Sequence, residues 1–130
     1  MLQPICVVFL SFNFHNSLLP AHPGRNAPTW AIFDRDPVTG ITWHQVSKEI
    51  DQGDIILQKE ISILPHVTAF ELTKECVNQG IDTFRELLPS LLNDQYHRSS
   101  QSNETSCSVH YSKDIPNNGL LDLTWSTSQI

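Results

Sequence analysis

The chain has 130 residues, about the size of one domain, so we expect a single hydrophobic core. Hydrophobic residues make up 39% of it and charged residues 17%, which excludes the low-hydrophobicity, high-charge composition of a disordered chain. The formal net charge of -6 argues against direct nucleic-acid binding, although contact with a nucleic acid through a partner domain stays open.

The cysteines and the apolar first segment bear on location. Cys6, Cys76 and Cys107 are odd in number and far apart, and they lack a metal-ligand spacing, which favours a reduced, cytoplasmic setting without a bound metal. The first apolar run is short and lacks both a basic leader and a cleavage site, so we predict neither a signal peptide nor a membrane span. A buried strand over Ile5–Phe12 is predicted instead.

Strands and a short helix are predicted to follow. A Pro-rich loop occupies Ser17–Pro28, and a short helix is predicted over Ala27–Asp34. Strands are predicted over Gly40–Val46 and over Asp54–Ile63, where apolar and polar residues partly alternate. We expect these two strands to share one sheet with the first strand.

A longer helix is predicted to begin after Thr68. Glu71 lies three residues later, which is the spacing of a capping box, and Pro89 is expected to kink the last turns. Apolar residues then recur at helical spacing and are expected to cover the sheet. They are Leu72, Cys76, Ile81, Phe84, Leu88 and Leu91.

The last third of the chain is more polar. The Ser-rich stretch Gln95–Ser106 is predicted to be a flexible connector, and Asn117–Gly119 is typical of a tight turn. The final run Trp125–Ile130 resembles an N-cap and the opening of another helix.

Three polar residues are candidates for chemistry. Strand alternation places Asn13 and His15 on one side, and Asp51 lies in a turn between two predicted strands that could bring its carboxylate beside them. An imidazole oriented by a carboxylate and next to an amide donor can move a proton and stabilise an oxyanion, as acyl transfer requires. Spacing alone leaves open that these residues are structural hydrogen-bonding groups. Four other histidines are expected at the surface: His22, His66, His97 and His110.

Two motifs resemble those of a known family. The run Asn13–Pro20 reads NFHNSLLP, and Ile50–Ile55 reads IDQGDI. They resemble the N-x-H-x-S-L-L-P motif and the later D-x-G-D or D-x-G-P turn of the folate-dependent formyltransferases that use 10-formyltetrahydrofolate. The resemblance extends to Ile130 and is tightest up to about Leu88.

The resemblance implies a fold and a domain organisation. The fold would be α/β, the C-terminal part of a Rossmann-like formyltransferase catalytic domain with a mixed sheet. Residues 1–94 would be the catalytic-motif half, and residues 95–130 a connector and the start of a segment leading to a missing C-terminal domain. We expect about the first half of the catalytic domain to be missing before Asn13, which would uncover apolar surface and impair activity.

The resemblance also implies roles for individual residues. Asn13 would donate to the formyl oxygen, His15 would move the proton, and Asp51 would set the charge of the imidazole. The co-substrate would be 10-formyltetrahydrofolate, no metal would be needed, and the acceptor would be an amine on an amino sugar, an aminoacyl carrier or methionyl-tRNA. The loop expected to bind the pterin ring consists of Val46, Ser47 and Lys48, together with Asp51.

Two other functions remain open from the sequence. A hydrolase that releases formate from the same folate would use the same three residues, with water in place of the amine. A non-catalytic remnant of the family is the second alternative.

Overall fold

The described part of the chain contains three strands and two α-helices. The computed structural model describes residues 11–101 and 108–127. Its elements are, in chain order, β1 (Phe12–His15), α1 (Ala27–Phe33), β2 (Val38–Gln45), β3 (Ile55–Ser62) and α2 (Ala69–Leu92), followed by a 3₁₀ turn at Pro116–Gly119. Both predicted helices and the second and third predicted strands are therefore confirmed.

The first strand differs from its prediction. Residues 1–10 lie outside the described residues, and with them Cys6 and most of the predicted Ile5–Phe12 strand. β1 continues to His15, so the Asn-x-His motif belongs to the strand itself and not to the loop after it.

The three strands form one sheet in the order β1-β2-β3, as expected. Both ladders are antiparallel, so no two strands of the described ranges pair in parallel as the expected mixed sheet requires, and the parallel contact between Gly24 and His110 is an isolated bridge. A register shift between Trp43 and His44 interrupts the β2–β3 ladder. Such bulges often redirect side chains beside functional sites.

Helix α2 covers one face of the sheet, and the core lies between them. Ile41 of β2 and Ile61 of β3 are buried against Leu72 and Cys76 of α2. The capping box predicted at Thr68 is confirmed, because its side chain and that of Glu71 each accept from the backbone amide of the other. No helix in the described ranges is both long and apolar enough to cross a membrane.

The buried face of α2 is not the predicted one. Ile81 and Leu88 were expected to pack on the sheet but are exposed, and Phe84 is 40% exposed although its ring contacts Trp43 of β2 at 5.3 Å between centroids. The helix instead buries a face that contains two non-hydrophobic positions, Gly80 and Thr83, because small residues there allow close contact with the sheet. The buried residues are Leu72, Cys76, Gly80, Thr83 and Leu87.

The predicted flexible connector is held against the sheet over its first residues. Ser99 exchanges two backbone hydrogen bonds with Ile55, at 2.8 and 2.9 Å. The Gln101 amide donates to the backbone carbonyls of Asp51 and Gly53. The prediction of flexibility was therefore wrong for residues 95–101, while residues 102–107, including Cys107, lie outside the described ranges.

The end of the described chain is built of turns. The predicted turn at Asn117–Gly119 is confirmed, since all three residues have positive φ. Residues 123–125 form a turn just before the predicted helix opening, and residues 128–130 of that prediction lie outside the described ranges.

Candidate active site

Strand pairing places the motif side chains together. Asn13 of β1 pairs directly with His44 of β2, and His15 pairs with Thr42. Residues two apart on a strand share a face, so Asn13 and His15 project to the same side, as predicted. Asp51 lies in the turn between β2 and β3, with a left-handed φ of 54°, a conformation that Asp adopts more readily than most residues.

The Asp51 carboxylate is the point where the polar groups meet. The Gly24 backbone amide donates to Oδ2 at 2.8 Å, and His15 Nδ1 lies 3.4 Å from the same oxygen. The Asn13 amide Nδ2 is 3.4 Å from Oδ1. The structure thus brings together the three residues that were predicted from the sequence.

The surroundings of Asp51 favour its charged form. Burial is the largest single influence and raises the pKa of the carboxyl group. Hydrogen bonds from the His44 ring and the Gly24 amide, together with the nearby His15 ring, outweigh burial and lower the pKa below its ordinary value. Asp51 is therefore a carboxylate at neutral pH.

His15 is a buried ring with one nitrogen committed to the backbone. Its Nε2 lies 2.9 Å from the backbone carbonyl of His22. A carbonyl only accepts, so Nε2 carries the hydrogen, and in the neutral ring Nδ1 presents a lone pair beside Asp51. Burial lowers the pKa of His15, although the His22 carbonyl and Asp51 partly oppose it. The ring is neutral at pH 7, and Nδ1 is a proton acceptor.

His44 is a member of this cluster that the sequence reasoning missed. It is buried, and its Nε2 lies 3.3 Å from Asn13 Nδ2 and 3.4 Å from Asp51 Oδ1. Nδ1 donates to the Gln45 carbonyl at 2.8 Å, and Nε2 faces both neighbours, so it donates to Asp51 when it carries a hydrogen and accepts from the Asn13 amide when it does not. Alternation along β2 could have placed His44 facing the site, but only with the register to β1 already known.

A buried hydroxyl fixes the loop that follows β1. Thr42 Oγ1 donates to the Ser17 carbonyl at 2.7 Å and accepts from the Leu19 backbone amide at 3.1 Å and from Gln58 at 2.9 Å. The Ser17 hydroxyl donates to the Ala21 carbonyl. Ser17 is therefore engaged in the loop, and it lacks the G-x-S-x-G turn that exposes a serine nucleophile.

The loop expected to bind the pterin ring leads from β2 to Asp51. Its backbone leaves the sheet after Val46, whose amide donates to the Ser11 carbonyl at 2.9 Å. All three side chains of the predicted loop are exposed and therefore accessible to a ligand. They belong to Val46, Ser47 and Lys48.

Two histidines predicted at the surface are packed instead. His22 is buried, with Nε2 2.6 Å from Asp36 Oδ2. The ring of His110 is half-buried and stacks on Trp30 with 4.0 Å between ring centroids, and burial lowers its pKa. The prediction failed because their ring and carboxylate partners are distant in sequence. His66 and His97 are exposed, as expected.

Cysteine and metal chemistry have little support in the described residues. Burial raises the pKa of the Cys76 thiol to about 11, so it is not a thiolate at neutral pH. Within residues 11–101 and 108–127, no group of three or more His, Cys, Asp or Glu side chains is arranged to hold a metal ion.

Sequence comparison relates the chain to formyltransferases. Residues 8–88 match the formyl transferase family. The chain is 34% identical over 121 residues to a GDP-perosamine N-formyltransferase of Brucella melitensis, covering 92% of this chain and 45% of that protein. It is 38% identical over 78 residues to a methionyl-tRNA formyltransferase of Chlorobium chlorochromatii, covering 60% of this chain and 25% of that protein. The chain thus spans less than half the length of these relatives.

Structure comparison agrees with the sequence. An N-formyltransferase from Helicobacter canadensis, solved with folinic acid and dTDP-3-aminofucose, superposes with a TM-score of 0.84 at 27% identity. The match covers 91% of this chain and 44% of that one. The α/β class and the formyltransferase fold predicted from the sequence are therefore confirmed. By its sequence motifs, its fold and the residues matched, the chain belongs to the formyl transferase family.

Proposed function

We propose that this chain supplies the catalytic-motif part of an enzyme that transfers a formyl group from 10-formyltetrahydrofolate to an amine. The observation that carries the proposal is the convergence of Asn13, His15 and Asp51. Asn13 Nδ2 and His15 Nδ1 each lie 3.4 Å from an oxygen of the Asp51 carboxylate. The acceptor nitrogen attacks the formyl carbon, the bond from that carbon to N10 of the folate breaks, and the proton lost by the amine goes to N10. The products are a formamide and tetrahydrofolate.

Asn13 is the proposed oxyanion donor. Its side chain is exposed, and its amide contacts with His44 and Asp51, at 3.3 and 3.4 Å, are long and weak. Exchanging such contacts for a short hydrogen bond to a negatively charged oxygen is favourable. Asn13 can therefore turn to the formyl oxygen as charge develops on it during attack.

His15 and Asp51 are the proposed proton-handling pair. A neutral His15 takes the proton from the attacking amine at Nδ1, the nitrogen that faces Asp51. The Asp51 carboxylate then stabilises the imidazolium. The ring returns the proton to N10 as the carbon–nitrogen bond to the folate breaks.

A folate is the proposed formyl donor. The Helicobacter canadensis relative is described in complex with folinic acid, and a sugar 3-N-formyltransferase with the same TM-score of 0.84 is described with 5-N-formyl-THF. In this chain, the exposed loop formed by Val46, Ser47 and Lys48 adjoins the site and is the proposed contact for the pterin ring.

An amino sugar carried on a nucleotide is the acceptor that we favour. The relative from Brucella melitensis is named for GDP-perosamine, and the Helicobacter canadensis structure contains dTDP-3-aminofucose. Methionyl-tRNA is the other acceptor named among the relatives. The net charge of -6 makes direct contact with tRNA less favourable for this chain.

We further propose that residues 1–94 form the catalytic-motif unit and that residues 95–130 lead out of it, with Ser99 and Gln101 still hydrogen-bonded to β3 and to the Asp51 turn. The chain covers 45% of the GDP-perosamine N-formyltransferase. Activity is therefore to be tested both in the chain alone and in a fusion that supplies the remaining portion from that relative.

The test is formyl transfer from 10-formyltetrahydrofolate to a nucleotide-linked amino sugar, in the fusion and in variants of it. His15→Ala and Asp51→Asn should each lower kcat by at least about 100-fold in variants that remain folded, because they remove proton and charge handling. Since the two residues act as one unit, the double variant should be little slower than the worse single one.

The matched control is His97→Ala, which changes an exposed histidine that is not one of the proposed catalytic residues. It should retain the parent activity. If the fusion releases formate and forms no formylated amine, the protein is a hydrolase and the proposed transferase function is wrong. A fusion that folds and binds folate but does neither would leave a non-catalytic relative as the better account.

A further inference from the structure

The His15 ring makes a hydrogen bond to a residue outside the cluster of Asn13, His44 and Asp51. Its Nε2–H donates to the backbone carbonyl of His22, seven residues further along the chain, in a bond of 2.9 Å that is buried. His22 has a left-handed φ of 48°, which a non-glycine residue adopts only where its surroundings compensate for the cost. The position of this carbonyl therefore depends on what holds His22.

The His22 side chain is held by the residues just after α1. Its Nε2 lies 2.6 Å from Asp36 Oδ2, a short charge-assisted contact, and its Nδ1 lies 3.8 Å from Asp34 Oδ2. Asp36 is itself fixed, since its backbone amide donates to the Ala31 carbonyl at 3.0 Å. The exposed fraction of the His22 side chain is only 11%.

The His22 ring also lies beside a pair of stacked aromatic rings. His110 is 6.1 Å from it between centroids, with 22° between the ring planes, and Trp30 stacks on His110 at 4.0 Å. His22 is therefore constrained both by a carboxylate and by ring packing.

We propose that Asp36 and His22 form a positioning pair that fixes the tautomer and orientation of His15. Asp36 binds the His22 ring, and this contact stabilises the left-handed turn at His22. The turn positions the His22 backbone carbonyl, which accepts the hydrogen bond from Nε2 of His15. This keeps the lone pair of Nδ1 directed at the substrate side beside Asp51. Without the pair, the Asp51 carboxylate favours the opposite tautomer, with the hydrogen on Nδ1. The catalytic role of this pair rests on the proposed function, whereas its effect on the His15 tautomer can be tested without it.

The experiment measures the ring nitrogens of His15 by ¹⁵N NMR in this chain, which needs no activity. The parent chain should have the Nε2–H tautomer. Asp36→Asn should raise the Nδ1–H population at least about fivefold, the factor expected for one weakened hydrogen bond. Asp34→Asn is the matched control, since it removes the same charge at the longer 3.8 Å contact, and it should leave the ratio within about twofold.

A second variant keeps the test valid if Asp36→Asn is poorly folded. His22→Asn retains a residue that tolerates the left-handed turn but is too short to reach Asp36 in the same way, so it should also raise the Nδ1–H population. Backbone amide spectra of β2 and α2 identify folded variants. An unchanged His15 tautomer in a folded Asp36→Asn or His22→Asn chain overturns the proposal.

Kinetics of the fusion separate the two proposals. If the fusion transfers formyl groups, Asp36→Asn should lower kcat about tenfold with KM nearly unchanged, because it misplaces a proton acceptor and leaves the binding loop intact. Equal kcat in Asp36→Asn and the parent would overturn a functional role for the pair. A tautomer shift in a fusion without transferase activity would support the positioning and reject the proposed function.

Discussion

At the scale of single residues, the Asp51 carboxylate is the charge around which the polar groups of the site are arranged. The carboxylate is surrounded by two imidazoles, a side-chain amide and a backbone amide, and its own side chain is 9% exposed. A buried carboxylate is stable only when donors compensate for lost hydration, which Gly24 does directly at 2.8 Å. In the proposed reaction, this carboxylate would stabilise the cationic form of His15.

The neutral His15 makes folding stability depend on pH. Because burial lowers its folded pKa below the unfolded value of about 6.5, the unfolded chain binds more protons in the interval between the two values. The free energy of unfolding should therefore fall as pH decreases below about 6.5. Asp51, whose pKa is also lowered, adds stability that persists above its unfolded pKa of about 3.9 and is lost at still lower pH.

Urea unfolding at a series of pH values from 7.5 to 5.5 measures this dependence; the range is roughly one unit on either side of the histidine reference value. His15→Asn should flatten the slope by at most about 1.4 kcal/mol per pH unit, the effect of one proton. His97→Gln, at an exposed position, should leave the slope as it is. An unchanged slope in His15→Asn would contradict the neutral buried state of His15.

The sequence allowed prediction of only those site residues that lie within local motifs. Asn13, His15 and Asp51 stand in two short motifs, and their grouping followed from strand alternation and a turn. The antiparallel register of β1 and β2 places His44 in the site. A turn places the backbone carbonyl of His22 beside the His15 ring. Both depend on which segments pair in space, and a single sequence does not specify that pairing.

At the scale of elements, α2 illustrates how local pattern and packing differ. The start of the helix was predictable, because a capping box is a local interaction between Thr68 and Glu71. Its buried face was not, because hydrophobic residues occupy two neighbouring faces of the helix. Close approach to β1 decided between them, through Gly80, where a Cβ would lie 2.5 Å from the Phe14 ring.

Gly80→Ala should destabilise the protein although alanine favours helices. The propensity gain of about 1 kcal/mol is opposed by the clash with Phe14, whose ring is confined by Trp43 at 5.2 Å between centroids. Overpacking of this kind costs about 1–3 kcal/mol, so we expect a net loss in the free energy of unfolding. Chemical denaturation of parent and variant measures it.

Asn78→Ala is the matched control for that substitution. Asn78 lies two residues earlier on an exposed face of the same helix, so alanine there should stabilise the protein by a few tenths of a kcal/mol. A stabilising Gly80→Ala would indicate that α2 is less tightly packed on β1 than the structure has it.

At the scale of the whole molecule, α2 leaves a second apolar face uncovered. Val77, Ile81, Phe84 and Leu88 follow one another at helical spacing and are 39 to 49% exposed, and of these Phe84 also contacts Trp43 of the sheet. A contiguous exposed apolar face marks a contact surface. The chain also covers less than half of its relatives, whose remaining portion could supply a covering segment.

We expect this face to make the chain associate with itself when it is produced alone. Burying apolar surface is favourable by about 25 cal/mol per Å², so faces of this kind should pair as concentration rises. The double variant Ile81→Lys, Leu88→Lys should abolish association, since two buried charges without partners oppose it. The fold should persist because neither side chain belongs to the core.

Glu86→Lys, on an exposed polar position of α2, controls for the added positive charge. Sedimentation velocity over a concentration series should give rising sedimentation coefficients for the parent and for Glu86→Lys but a constant value for the double variant. A parent chain that stays monomeric throughout the series would contradict the expectation, and association that survives in the double variant would assign it to another surface.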